Sequence, residues 1–333
     1  MIMVTGATGH IGNVLVRELL SRGESVRAVI PAWEDTTPLD GLAVEMVEGD
    51  VRDIDSLLQA FKGSDLVYHL AGIVAITTGM RELLSEVNVG GTRNVVQACL
   101  GTGVPRLVYT SSIHALVEPP HGMVIDETLP FDPDRTIGDY ARSKALATLA
   151  VLKGVERGLD AVIVCPTGVI GPYDYVPSEM GQLMINVATG KLKASVDGAY
   201  DFVDVRDVAR GLILAAEKGG TGESYILSGE RITVDDLMLM LEEVTGAKAP
   251  SFKVPLALAR AGAGFAPLYY KVTKTKPLFT SYSVQVLGSN CLTSCDKARR
   301  ELGYSPRPIR ESVVDAIQWF EENGRLQPAV LGS

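Results

Sequence analysis

Cysteine is scarce. Cys99, Cys165, Cys291 and Cys295 are the only four in 333 residues, and no two are spaced as Cys-x-x-Cys. Only Cys291 and Cys295 are close in sequence, and no histidine lies near them to complete a zinc tetrahedron. A reduced compartment is the simplest home for such a chain. Histidine is equally rare, at His10, His69, His114 and His121. Positive charge is in deficit too. With 31 Lys and Arg against 40 Asp and Glu the formal net charge is −9, and no basic run interrupts the balance. Nucleic acid and anionic membrane are therefore excluded as expected partners, because most of this surface would repel them. Long hydrophobic runs are missing as well. The most apolar stretch, Val254–Tyr270, contains Arg260 and is broken by Pro255 and Pro267. It is too short and interrupted to span a bilayer comfortably, so it reads as a packed or pocket-lining helix and membrane association is not expected. No internal repeat or low-complexity tract is present. The first strand pattern follows no charged leader, which makes a cytoplasmic location the expectation.

What the chain does have is alternation. Ile2–Thr5, Val26–Ile30, Val44–Glu48, Asp65–Leu70, Arg106–Thr110 and Ala161–Cys165 are β-branched runs that read as strands. Helical periodicity fills the intervals at Asn13–Arg22, Ile54–Phe61, Val89–Leu100 and Tyr140–Arg157. Such alternation implies parallel strands with right-handed crossovers, an α/β, doubly wound sheet of the Rossmann type. From Pro166 onward the pattern fades into proline- and glycine-punctuated segments, beginning with Pro166-Thr-Gly-Val-Ile-Gly-Pro172. A strand at Ser224–Leu227, a helix at Thr233–Gly246 and a last helix at Ile309–Asn323 follow. Thr233, with Asp235 and Asp236 behind it, supplies a capping hydroxyl and first-turn acids. The expected organisation is a dinucleotide-binding domain from residues 1–165 plus about 201–228, and a smaller mixed substrate lobe from about 166–200 plus 229–333.

Three local patterns carry chemistry. Thr5-Gly-Ala-Thr-Gly-His-Ile-Gly12 joins the first strand to the first helix. Gly6 permits the sharp turn, Gly9 lets backbone approach a pyrophosphate, and Gly12 lets the helix lie close to the sheet. The phosphates then meet free N–H groups at the positive end of that helix. Tyr140-Ala-Arg-Ser-Lys144 sets a phenol and an ammonium one helical turn apart on one face. A nearby lysine cation is expected to lower the tyrosine pKa and fit it for proton exchange with an alcohol or carbonyl. Tyr109-Thr-Ser-Ser112 closes a strand at the sheet's carboxyl edge, where Ser112 can reach a substrate oxygen or simply cap a turn. Tyr270 and Lys274 repeat the tyrosine–lysine spacing. They lack a serine-bearing strand end before them and are rejected.

Together with Gly49-Asp50-Val51, His69-Leu-Ala-Gly72, Val87-Asn-Val-Gly-Gly-Thr92, Cys165-Pro166, Phe202-Val-Asp-Val-Arg-Asp-Val-Ala209 and Glu301-Leu-Gly-Tyr304, these stretches span nearly the whole chain. In that order they resemble an extended short-chain dehydrogenase/reductase, the NAD-dependent epimerase/dehydratase family, and within it the dihydroflavonol reductase-like branch. The resemblance implies Tyr140 as proton donor or acceptor, Lys144 as the residue that binds the nicotinamide ribose and tunes Tyr140, and Ser112 as the holder of the reacting oxygen. It implies that Gly6, Thr8, Gly9, His10, Ile11 and Gly12 form the phosphate turn and that Asp50 and Val51 flank the adenine. Leu70, Ala71 and Gly72 line the pyrophosphate and ribose path, Asn88 lies near the nicotinamide half, and Pro166 sits at the carboxamide. For Asn88 a helix cap and for Asp50 a solvated turn residue are the plainer alternatives. A small-molecule carbonyl or alcohol partner and a possible homodimer follow from the same resemblance.

The chain also departs from the pattern of the family it resembles. Where an acid or an arginine at the end of the second strand usually discriminates between cofactors, it has Ile30-Pro31. Glu34 and Asp35 follow, and Arg27 contributes only if it faces the adenosine. The cofactor is NAD or NADP, with NAD favoured. Tyr200 stands where nucleotide-sugar epimerases tend to place a diphosphate-binding arginine, and it cannot supply that cationic fork. Ile113 and His114 stand where sugar dehydratases usually carry acids. These departures favour NAD(P)-dependent carbonyl–alcohol redox on a small, relatively apolar substrate. A nucleotide-sugar epimerase or dehydratase with tightly bound NAD is the alternative enzyme, and a non-catalytic NAD(P)-sensing protein the alternative of another class.

Overall fold

The computed structural model describes residues 1–75, 79–250, 252–255, 258 and 291–326. Its first half alternates as the sequence does: β1 Ile2–Thr5, α1 His10–Ser21, β2 Val26–Ile30, β3 Glu45–Glu48, α2 Ile54–Ala60 and β4 Leu66–His69. A helical stretch follows, with α3 Arg81–Leu84, a wider π-type segment Ser85–Gly90, and α4 Gly91–Thr102. It begins well before the expected Val89, because Met80–Leu84 already supplies a turn. Then come β5 Leu107–Thr110, α5 Asp139–Glu156 and β6 Ala161–Pro166.

Seven strands form one parallel sheet in the order β10-β6-β5-β4-β1-β2-β3, where β10 is Ser224–Leu227. Period-two alternation assigns its faces. Ile2 and Val4 of β1 face α1 and the helix α7, Val205–Lys218, while Met3 faces the opposite layer with Leu57, Phe61, Val95, Cys99 and Val151. Both faces are thus covered, as a parallel sheet requires. Strand order reverses between β1 and β4, which opens a crevice at their carboxyl ends.

The sequence reading has no helix at α7 and no strand among the short pieces that form the second lobe. These are β7 Gly168–Ile170, α6 Glu179–Ala188, β8 Ala194–Val196, β9 Ala199–Asp204, β11 Glu230–Thr233, α8 Val234–Thr245 and β12 Phe252–Val254. A three-stranded sheet runs β11-β9-β7, with β9 antiparallel to β11 and parallel to β7. Helices α6, α8 and α9, Ile309–Glu322, close over it around Met184, Leu241, Val313 and Phe320. Thr233 does cap α8, in a reciprocal box with Asp236. Asp204 and Asp207 at the start of α7 bind Arg206 and Arg307, tying the approach to α9 onto the main domain. All four cysteines are buried and none is in a disulfide. Among the described residues no helix is long and apolar enough to cross a membrane and no metal-ligating cluster is present. The apolar segment Val254–Tyr270 lies, apart from its first two residues and Leu258, outside the described residues, as do Tyr270 and Lys274.

His69 ends β4 in the interior, between Thr5 Oγ1 at 2.8 Å and Thr92 Oγ1 at 3.0 Å. Thr92 donates its own hydroxyl to the Asn88 carbonyl, so the network assigns the ring proton to Nε2 and leaves Nδ1 to accept from Thr5. Burial holds its pKa down at about 3, against 6.5. Between these values the unfolded chain takes up a proton that the folded one refuses, so stability falls as the pH drops below 6.5. His114, held down at about 4, acts in the same direction. Urea midpoints recorded from pH 7 to 4 should show it. A His69→Gln variant is expected to flatten the slope by up to about 1.4 kcal/mol per pH unit; an unchanged slope would mean that His69 is protonated in the native state.

Candidate active site

The glycine turn spans the crevice. Gly6 has φ +71°, and a Cβ there would lie 2.6 Å from the Ala71 nitrogen. A Cβ on Gly12 would lie 2.0 Å from the Gly6 carbonyl oxygen. At Gly9, the N-cap of α1, the nearest atom to such a Cβ is again the Gly6 oxygen, at 3.3 Å, and the opposite side is open. The turn is therefore packed tight against the sheet and bare toward the cavity. That is the shape a pyrophosphate cradle needs.

The cavity before it measures about 740 Å³ and is lined by Gly6, Gly9, His10, Ile11, Gly12, Leu70, Gly72, Thr110, Ser112, Tyr140, Lys144 and Pro166, among others. Thr110 Oγ1 is a buried polar atom on this wall with no partner. A dinucleotide fits these residues: the bare turn receives its phosphates, and the end of β5 offers it polar atoms. Thr8, Asp50, Val51, Ala71 and Asn88 are not among the residues that line the cavity. Asn88 is no helix cap. It lies within the π-type segment, accepts from Ile73 N at 2.8 Å and donates to Ile73 O and Ser143 Oγ at 3.0 Å each, which fixes the loop after β4. Asp50 is bound to Arg52, with its carboxyl below the usual carboxylate range because that guanidinium outweighs the opposing effect of burial. His10 turns its ring toward the Pro172 carbonyl, 2.9 Å away.

Ser112 caps a turn and also lines the cavity. Its Oγ accepts from His114 N at 3.2 Å, capping the short turn Ile113–Ala115, and its side chain also hydrogen-bonds Tyr140. Alternation at the end of β5 explains the choice of serine. Ser111 points the other way, to Thr148 at 2.7 Å. Tyr140 enters at the second residue of α5, and Lys144, one turn later, is buried.

The electrostatics differ from the sequence expectation. Burial raises the Tyr140 phenol to about 12, with the Ser112 hydrogen bond opposing it. The cation does not bring it below 10, because Lys144 is itself desolvated, held down at about 8, and its ammonium donates to the Thr110 carbonyl at 2.6 Å. It also rests 4.8 Å from the centre of the Tyr109 ring. Burial thus shifts both groups toward their neutral forms, while Lys144 stays mostly charged near neutral pH.

Beyond Ser112 and Tyr140 the wall is mainly apolar: Val169, Met180, Leu183, Leu192, Val196, Phe202, Ile232, Leu237 and Met238 come from the second lobe, with Ser178, Glu179, Gln182 and Ser195 among them. None was singled out as a wall residue from the sequence; Val169 and Phe202 lie in stretches quoted above, but no spacing pattern brings these nine residues together. Tyr200 and His114, noted earlier only as departures, meet on this wall with Tyr200 Oη 2.7 Å from His114 Nε2.

A doubly wound sheet with a glycine cradle at its switch point, and a serine, tyrosine and lysine beside it, defines the extended short-chain dehydrogenase/reductase class of nicotinamide-dependent enzymes. The model of the NAD dependent epimerase/dehydratase family matches residues 2–228, and the chain belongs to that family. It is 40% identical over 328 residues to sterol demethylase protein B of Methylococcus capsulatus, covering 97% of this chain and 99% of that one. It is 34% identical to a Synechocystis sp. protein provisionally named dihydroflavonol 4-reductase, covering 97% and 95%. The crystal structure of gox2253 superposes with a TM-score of 0.87 at 36% identity, covering 98% of this chain and 99% of that one.

Proposed function

We propose that this enzyme interconverts an alcohol and a carbonyl on a relatively apolar substrate, using NAD(P). The observation that carries the reading is the pairing of Ser112 and Tyr140 on a cavity whose wall from the second lobe is mainly aliphatic and aromatic, with Ser178, Glu179, Gln182 and Ser195 as its polar members. Such a wall desolvates an apolar ligand and offers a nucleotide diphosphate no cationic fork. Tyr200, where that fork would stand, is already engaged by His114.

When bound, the nicotinamide supplies or accepts the hydride. The chain's part is to hold the reacting oxygen and to move one proton. Ser112 Oγ hydrogen-bonds that oxygen and stabilises it as negative charge develops. Tyr140 Oη gives up its proton in reduction and receives one in oxidation. Lys144, positioned by the Thr110 carbonyl, favours the phenolate at that moment because its positive charge lies in a dry site. The lobe from about 166–200 plus 229–333 selects the substrate and excludes water. The name of the Methylococcus relative points to sterol metabolism, in keeping with this wall. Four buried cysteines outside any disulfide suit the cytoplasm.

The test is a panel of steroidal, isoprenoid and aryl ketones and alcohols with both cofactors, followed through nicotinamide absorbance. Turnover of an apolar member by protein that loses cofactor on dialysis is expected. Turnover of nucleotide sugars alone, by protein that retains cofactor through purification, would favour the epimerase or dehydratase.

A further inference from the structure

The polar residues on the second lobe's wall are not alike. Ser178 is committed to the fold: it caps α6, its Oγ accepting from Gly181 N at 3.1 Å, and it gives its own N–H and hydroxyl to Asp174 Oδ2 at 2.9 and 2.8 Å. Asp174 is 2% exposed and sets a carboxylate against the start of α6, where the helix dipole favours one. The ordinary duties of a first-turn acid are therefore met without Glu179.

Glu179 lines the cavity and has no hydrogen-bond or ion-pair partner among the described residues. The protein around it raises its carboxyl to about 7, and no hydrogen bond or opposite charge holds it down. A carboxyl desolvated and unpaired on an apolar wall costs free energy that a leucine there would not. In a cleft, such a group points to a ligand. Two more wall residues have capacity to spare. Gln182 lies one turn along the same face of α6, and its Nε2 donates to Asn186 Oδ1 at 3.1 Å, which leaves Oε1 to accept. Ser195, on β8, is 4% exposed, and its hydroxyl has no hydrogen-bond partner among the described residues. No lysine or arginine of the second lobe lines the cavity with them, so an anionic group is not what they receive.

We propose that Glu179, with Gln182 and Ser195, receives a hydroxyl group that the substrate carries on its apolar body, apart from the oxygen that reacts at Ser112 and Tyr140. The substrate class is then a hydroxylated apolar ketone and the diol it forms. The inference rests on the carbonyl–alcohol reading of the site. A hydroxyl offers one donor and two acceptor positions, which a carboxyl, an amide oxygen and a second hydroxyl can satisfy together. Plain hydrocarbon in the same place leaves the Glu179 carboxyl desolvated and unpaired, and a site built in this way rejects the analogue that lacks the group.

The test compares steroidal and isoprenoid ketones in pairs of one skeleton, with and without a hydroxyl remote from the carbonyl, by kcat/KM at saturating cofactor. The unaltered enzyme is expected to prefer the hydroxylated member of at least one pair by about 10–100-fold. Glu179→Leu should bring that ratio to within about threefold of one, by raising KM for the hydroxylated ketone and lowering it for the plain one. Glu179→Gln keeps a donor and an acceptor and should retain most of the preference. Ratios near one for every pair, or a ratio that Glu179→Leu leaves unchanged, would overturn the proposal while turnover of the plain ketones leaves the reductase reading standing. So would weakened NADH binding by Glu179→Leu in place of a changed ratio, which would assign the residue to the cofactor. An ammonium analogue preferred over the hydroxyl, with the preference lost in Glu179→Gln, would overturn it in favour of a cation. No turnover of any ketone would overturn both readings.

Discussion

Tyr140→Phe is expected to lower kcat by about 10²–10⁴-fold while leaving cofactor affinity within about twofold, because it deletes one proton-carrying oxygen and little else. The ring keeps its place at the start of α5, and Ser112 keeps its bond to His114 N. A hydride has no stable destination on a carbonyl carbon unless a proton reaches the oxygen, and Tyr140 is the titratable group that shares a hydrogen bond with Ser112. The measurement pairs steady-state turnover with cofactor titration. Turnover within tenfold of the unaltered enzyme would assign the proton transfer elsewhere.

Gly12→Ala is expected to have the largest effect on the fold. The added methyl would sit 2.0 Å from the Gly6 oxygen and 2.9 Å from the Ala7 Cα, all backbone, so no flexible side chain can yield. Either α1 moves off the sheet or the turn opens, and both spoil the cradle. A cost of about 3–5 kcal/mol is expected, with a fall in Tm on the order of 10 °C and loss of measurable NADH binding. Normal binding with normal Tm would mean that the turn is not packed as described.

The dinucleotide half was legible because its determinants are local. The strands from β1 to β6, apart from β3 with its two glutamates, are mostly apolar runs read in place, and Gly6, Gly9 and Gly12 act through their own backbone. Ser112 and the Tyr140–Lys144 pair were legible for the same reason, being set by one strand end and one helical turn. The second lobe was not. Its sheet joins Gly168, Phe202 and Glu230 across some sixty positions, on strands of three to six residues. Periodicity has no room to show itself there. The part played by Asn88 was hidden for a related reason, since its partners Ile73 and Ser143 are fixed by a π-type segment that no sequence pattern announced. The pKa of Tyr140 went opposite to expectation because spacing reveals a neighbouring charge but not the burial that both groups share.

The account stands most directly on one labelled turnover: an apolar ketone from the panel is incubated with NADH deuterated at the transferring carbon, and the product alcohol is weighed by mass spectrometry. One deuterium at the carbinol carbon is predicted for the unaltered enzyme, with about 10²–10⁴-fold slower formation of the same labelled alcohol by Tyr140→Phe. Unlabelled alcohol, or no reduction of any apolar ketone beside steady conversion of a nucleotide sugar, would contradict it.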